Sequence, residues 1–66
     1  MLKRKCKCIK DCIIKDILFE NKLKKYYKNN EYIVEICDTH YIIYDINSKE
    51  HIYLNEDFDK YFTLIK

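Results

Sequence analysis

The sequence predicts one small, mainly β domain of five strands, with a short helical turn before the last strand and a long first loop. Two observations carry that prediction. Residues 31–54 alternate apolar and polar positions with the period of two that half-buried strands show. Between the alternating runs lie clusters of Asn, Asp, Ser and Thr, and Asn and Asp in particular tolerate tight turns in a chain without glycine. At 66 residues there is room for one core, since a domain this size hides only about 60% of the surface its unfolded chain exposes. A single domain over residues 1–66 follows.

The elements can be taken in chain order. Over residues 3–10, Cys6 and Cys8 share one face and Lys5 and Lys7 the other, which reads as a first strand that bends where Ile9 breaks the alternation. Residues 12–28 carry two readings. Ile13, Ile14, Ile17, Leu18, Leu23, Tyr26 and Tyr27 fit a helical stripe, while their β-branched and aromatic character favours an extended hairpin. Asn29-Asn30 reads as a turn, and Tyr32, Val34 and Ile36 as one face of the next strand. Tyr41 with Ile43, then Ile52 with Leu54, repeat the pattern after turns at Cys37-Asp38-Thr39 and Asn47-Ser48-Lys49. Three successive strands joined by tight turns make an antiparallel meander. Asn55 is a good N-cap, and Glu56, Asp57 and Asp59 place acids in a first turn, so a short helix is expected before a closing strand over Tyr61 to Ile65. The predicted core is Cys8, Tyr32, Val34, Ile36, Ile43, Ile52, Leu54, Phe58 and Phe62.

Composition narrows the classes of function. With 48% apolar residues and a net charge of +2, the chain lacks the signature of disorder. Lys7, Lys10 and Asp11 interrupt any apolar signal-peptide segment, and the longest apolar runs, such as Tyr41 to Tyr44, are far shorter than a membrane span. A cytoplasmic protein with four reduced cysteines is expected.

No motif argues for catalysis. Cys37, Asp38 and His40 have the residue types of a nucleophile, orienter and base, but they sit across a turn and read better as turn residues. Cys6, Cys8 and Cys12 with Cys37 and His40 offer zinc-type ligands, yet no second paired cysteine motif completes a ribbon, and small thiols on a strand face commonly fill core. Without glycine there is no phosphate-binding loop or dinucleotide fingerprint. The reading is a non-enzymatic protein with no cofactor, no metal and no small-molecule ligand.

Several segments carry a family resemblance: Lys7-Cys8-Ile9-Lys10-Asp11, Tyr27-Lys28-Asn29-Asn30-Glu31-Tyr32, and Glu50-His51-Ile52-Tyr53-Leu54 running into Asp57-Phe58-Asp59-Lys60-Tyr61-Phe62. Their order resembles very small SH3-like β-barrel proteins of phages and prophages of low-GC bacteria. Lys, Ile, Tyr and Asn, which make up more than half the chain, suit an AT-rich coding sequence of that kind. The family's second block usually has glycine where this chain has Asn30, and Asn can take the same left-handed turn. The resemblance implies a five-stranded SH3-like barrel with residues 12–26 as an enlarged first loop. It is nearly silent on function, because such barrels carry unrelated activities. Similar short phage proteins include inhibitors of bacterial defence systems, anti-CRISPR proteins among them.

Charge orders the partner classes. Residues 1–28 hold ten Lys or Arg against three acids, and residues 29–66 hold three Lys against eight acids. Such polarity either builds opposed charged faces or mixes both signs on one surface. Lys3, Arg4, Lys5, Lys22, Lys24, Lys25, Tyr26 and Lys28 are the candidate partner-binding residues, a basic and aromatic set suited to an interface. The expected partner is a host protein, specifically a nucleic-acid-handling defence nuclease that the chain would obstruct. Direct binding of DNA or RNA by the same residues is the alternative. Against it, the pI of about 8.3 lies below that of most nucleic-acid-binding domains, and only one basic residue is Arg.

Overall fold

A computed structural model describes residues 2–19, 21–45, 50–55 and 57–65. The strands are β1 (Leu2–Cys8), β2 (Cys12–Lys15), β3 (Leu23–Tyr26), β4 (Glu31–Ile36), β5 (Tyr41–Tyr44), β6 (His51–Leu54) and β7 (Phe62–Leu64), with a one-turn helix, α1 (Phe58–Tyr61), before β7. Five strands form one antiparallel sheet in the order β6-β5-β4-β1-β7, and β2 and β3 form a separate hairpin. No described helix is long and apolar enough to cross a membrane.

The mainly β class and the β4-β5-β6 meander agree with the sequence reading. Residues 12–28 resolve toward the hairpin, because Ile14 and Tyr26 can face the core from paired strands while the two-residue period sends their neighbours outward. The predicted barrel is not closed. The sheet ends at β6 and β7, and the hairpin lies along the outer edge of β6. There the Ile17 N–H donates to the Tyr53 carbonyl at 3.1 Å, and Asp16 accepts from the Tyr53 N–H, so the free edge of β6 is occupied.

Two local expectations shift. Asn29, with φ of 76°, takes the left-handed position that the family pattern assigned to Asn30. The helix starts later than an Asn55 cap would place it: Asp57 is the N-cap and makes no side-chain cap bond, while Asn55 Oδ1 accepts from the Asp57 N–H at 3.4 Å in the preceding turn. The Cys37 turn forms as expected, closed by the Cys37 N–H donating to the His40 carbonyl at 3.0 Å. The expected Asn47-Ser48-Lys49 turn lies outside the described residues.

The core lies between the inner face of the sheet and the inward face of the hairpin. Eight of the nine predicted core residues are buried, and Ile36 packs against them at the margin. Cys6, Ile14 and Tyr26 complete the cluster. Tyr26 is its centre, meeting Tyr32 edge-on at 4.9 Å and Phe62 edge-on at 5.2 Å, while Phe58 stacks on Phe62 at 5.5 Å. Such pairs add about 0.5–1.5 kcal/mol each beyond area burial. The outer face of the sheet carries Lys3, Lys5 and Lys7 of β1 opposite Glu35, Ile33 and Glu31 of β4. The opposed charges of the two halves are therefore interleaved on this face.

Candidate functional site

The hairpin divides its residues by parity. Cys12, Ile14, Lys24 and Tyr26 alternate inward, and Ile13, Lys15, Leu23 and Lys25 alternate outward as the directly opposed pairs Ile13–Lys25 and Lys15–Leu23, with Ile13 and Leu23 diagonal to each other. Directly opposed side chains on one face sit roughly 5 Å apart at Cβ. The outward face is thus a small apolar surface with two ammonium groups at its corners. Ile13 and Leu23 are 61% and 62% exposed. Leu18 and Phe19 at the tip and Tyr27 at the base are each more than half exposed, and the Phe19 ring lies 6.4 Å from that of Tyr53 in β6. Shallow depressions lie at both ends, one lined by Asp11, Ile13, Lys25 and Tyr27 and one by Leu18, Phe19, Asn21 and Lys22.

The hairpin is held in place from its other face. Asp16 is buried and its carboxylate is fully used: Oδ1 accepts from the Leu18 and Phe19 N–H groups at 2.7 and 2.9 Å, and Oδ2 from the Tyr53 N–H at 3.0 Å. Burial pushes this carboxyl's pKa up, but the three N–H donors and the nearby Lys22 outweigh it and hold it below the usual range. Lys24 crosses from the hairpin to the sheet, its ammonium 3.0 Å from Asp45 and 3.2 Å from Glu50. Burial pulls its pKa down and the two carboxylates raise it further than that, so it stays charged. At the base, Asp11 Oδ1 accepts from the Lys28 N–H at 2.8 Å.

The sequence-predicted residues do not form one surface. Lys3 and Lys5 lie on the outer face of the sheet, and Arg4 alternates to the other side of β1, half-buried. Lys25 is on the outward hairpin face, with Lys22 just ahead of β3 and Lys28 in the turn after it. Lys24 is committed to Asp45 and Glu50. Tyr26 has no exposed surface and anchors the hairpin in the core.

Sequence reasoning missed Ile13, Lys15, Leu23 and the tip residues Leu18 and Phe19. A signal was present in the adjacent Ile13-Ile14 pair, because in any strand two neighbouring apolar residues must face opposite ways.

Cys6, Cys8 and Cys12 lie close together at the core, but Cys37 and His40 do not join them. Cys6 and Cys8 are buried in the core, while Cys37 and His40 sit at the β4-β5 turn, beyond the Leu2 end of β1. Among the described residues no group of three or more His, Cys, Asp or Glu is placed to hold a metal ion. Burial, reinforced by the neighbouring Cys8, pushes the Cys6 and Cys12 thiols up to about 12, which leaves them protonated and unreactive at neutral pH. Comparison of the chain with family models, with curated proteins and with solved structures found no match.

Proposed function

We propose that the chain is a non-enzymatic binding module that docks on a host protein through the outward face of the β2-β3 hairpin and obstructs that protein's working surface. The observation that carries this reading is the exposure of Ile13 and Leu23 side by side with Lys15 and Lys25 on a hairpin whose other face is anchored in the core. An apolar centre with a charged rim is the anatomy of a protein interface. A rigid mount lowers the ordering cost of association. The flanking ammonium groups favour a partner whose apolar spot is bordered by carboxylates.

The fold reading that accompanies this is SH3-like. It is supported by a first strand flanked by both β4 and the last strand, a long hairpin between β1 and β4, and a helical turn before β7. The resemblance to phage and prophage proteins supplies the class of target, a cytoplasmic nuclease of a defence system, in the manner of an anti-CRISPR protein.

The test is affinity capture by the tagged protein from host lysate, with and without nuclease treatment, beside a variant carrying Lys15→Glu and Lys25→Glu. One host protein retained in stoichiometric amount after nuclease treatment, and lost with the double variant, is the expected result. Recovery that disappears with nuclease, and an affinity that falls steeply with salt, would assign the surface to nucleic acid instead.

A further inference from the structure

The outer face of the sheet carries a second feature, separate from the outward face of the hairpin. A cleft of about 810 Å³ lies between the β4-β5 turn and the strands, lined among others by Glu35, Asp38, His40, Ile42, Tyr44 and Tyr53. This volume is within the range of ordinary ligand sites. Glu35 is only 7% exposed, yet the one described hydrogen bond of its side chain comes from a neutral group, the Tyr44 hydroxyl, which donates to Oε1 at 2.9 Å. Burial, and then the bond to Glu35, raise the Tyr44 pKa, so the phenol keeps the proton it donates. Among the described residues no ammonium or guanidinium group reaches the Glu35 carboxylate. A carboxylate this buried is ordinarily paired with a cation.

The cleft's aromatic walls favour the same charge. Tyr44, Tyr53 and His40 line the cleft, and His51 beside it links Tyr44 to Tyr53, so that successive ring centroids in the order Tyr44, His51, Tyr53 and His40 are 5.7, 5.5 and 5.7 Å apart. Aromatic faces attract ammonium and guanidinium groups within about 6 Å of the ring centroid. The protein already makes such a contact at this cleft: Lys3, the cross-strand neighbour of Glu35, places its ammonium 5.2 Å from the centre of the Tyr44 ring. Asp38 adds a second carboxylate at the rim.

We propose that this cleft binds a primary ammonium or guanidinium group on an alkyl stem, as carried by a lysine or arginine side chain of a polypeptide or by a free amine. Glu35 supplies the counter-charge, Tyr44 and Tyr53 supply the cation–π surface, and Ile42 supplies apolar contact for the stem. Lys3 is the intramolecular competitor for the Tyr44 face.

The test is titration of isotopically labelled protein by NMR with Nα-acetyl-lysine methylamide, n-butylammonium and the uncharged Nα-acetyl-norleucine methylamide. Saturable shifts at Glu35, Tyr44 and Tyr53 are expected with the two cations, and at least about tenfold weaker binding with norleucine. Tighter binding of the lysine derivative than of butylammonium would identify a polypeptide side chain as the source, and the reverse order a free amine. Glu35→Gln should weaken both cations about tenfold, and Lys3→Met should tighten them about threefold. Equal binding of lysine and norleucine would overturn the proposal, as would undiminished binding by a folded Glu35→Gln variant. Should Glu35→Gln fail to fold, unchanged or weaker binding by Lys3→Met would overturn it.

Discussion

The β4-β5-β6 meander and the β2-β3 hairpin are built from the same kinds of residue and use them differently. In the meander, Tyr32, Val34, Ile43, Ile52 and Leu54 all face the core, and the opposite face combines Glu31, Glu35, His51, Tyr44 and Tyr53 with Ile33 and Ile42. In the hairpin, Ile14 and Tyr26 face the core while Ile13 and Leu23 face water. Surface apolar residues scattered singly need no explanation, but Ile13 and Leu23 share one face with Lys15 and Lys25 on an anchored hairpin, which is the basis of the docking surface proposed above. The comparison teaches that a chain of this size can place its core cluster in one face of the sheet and one face of the hairpin, leaving the hairpin's other face exposed to solvent.

Breaking the inward side should have the largest effect. Tyr26→Ala removes the ring at the centre of the aromatic cluster and should cost about 3–5 kcal/mol, against less than about 0.5 kcal/mol for Ile13→Ala, measured by denaturant unfolding. For so small a domain the Tyr26 variant is expected to be largely unfolded.

Asp16 comes next. Asp16→Ala leaves the Leu18, Phe19 and Tyr53 N–H groups without their acceptor and should cost about 1–3 kcal/mol. Because the folded pKa of Asp16 is held below its unfolded value, its stabilisation is fully present above about pH 4 and is lost as pH falls through the folded pKa. Amide exchange at Ile17 and Tyr53 should therefore speed up in acid relative to the β1-β4 pairing. Uniform loss of protection across both regions would show that the hairpin has no separate docking equilibrium.

A smaller effect sharpens the same contrast. The Tyr26 hydroxyl is buried and has no hydrogen-bond partner among the described residues, and desolvation keeps it protonated. Tyr26→Phe should be neutral or stabilise the protein by up to about 1 kcal/mol, read from the shift in unfolding midpoint, because it removes an unsatisfied polar group and keeps the ring contacts. The smallest disturbance is chemical. Alkylation of the native protein at neutral pH should spare Cys6 and Cys8, whose side chains are fully buried, and mass spectrometry after digestion would show any labelling.

The meander was legible in the sequence because Tyr32-Ile33-Val34-Glu35-Ile36 and the two later runs alternate with strand period and are bounded by turn-forming residues. The hairpin was legible only as an alternative to a helix. Its apolar positions Ile13, Ile14, Ile17, Leu18, Leu23, Tyr26 and Tyr27 fit a helical stripe as well as paired strands. What settles its place is long-range: Tyr26 against Tyr32 and Phe62, and Asp16 against Tyr53, contacts that no local pattern encodes. The basic residues were visible as a run, but their faces depend on register. Lys24 and Lys25 are neighbours in sequence and point to opposite sides, one to Asp45 and Glu50 and one to solvent. Glu35 was similarly hidden, since its position on β4 reads as solvent-facing until Tyr44 and Ile42 of β5 are seen beside it.

The measurement that tests the division of the hairpin most directly is calorimetric titration of the captured partner with wild-type protein and with the Ile13→Asp/Leu23→Asp double variant, alongside both thermal midpoints. The account predicts midpoints within about 4 °C of each other and an affinity reduced by about thirtyfold or more. Unchanged affinity with an unchanged midpoint would contradict it and remove the outward face from recognition.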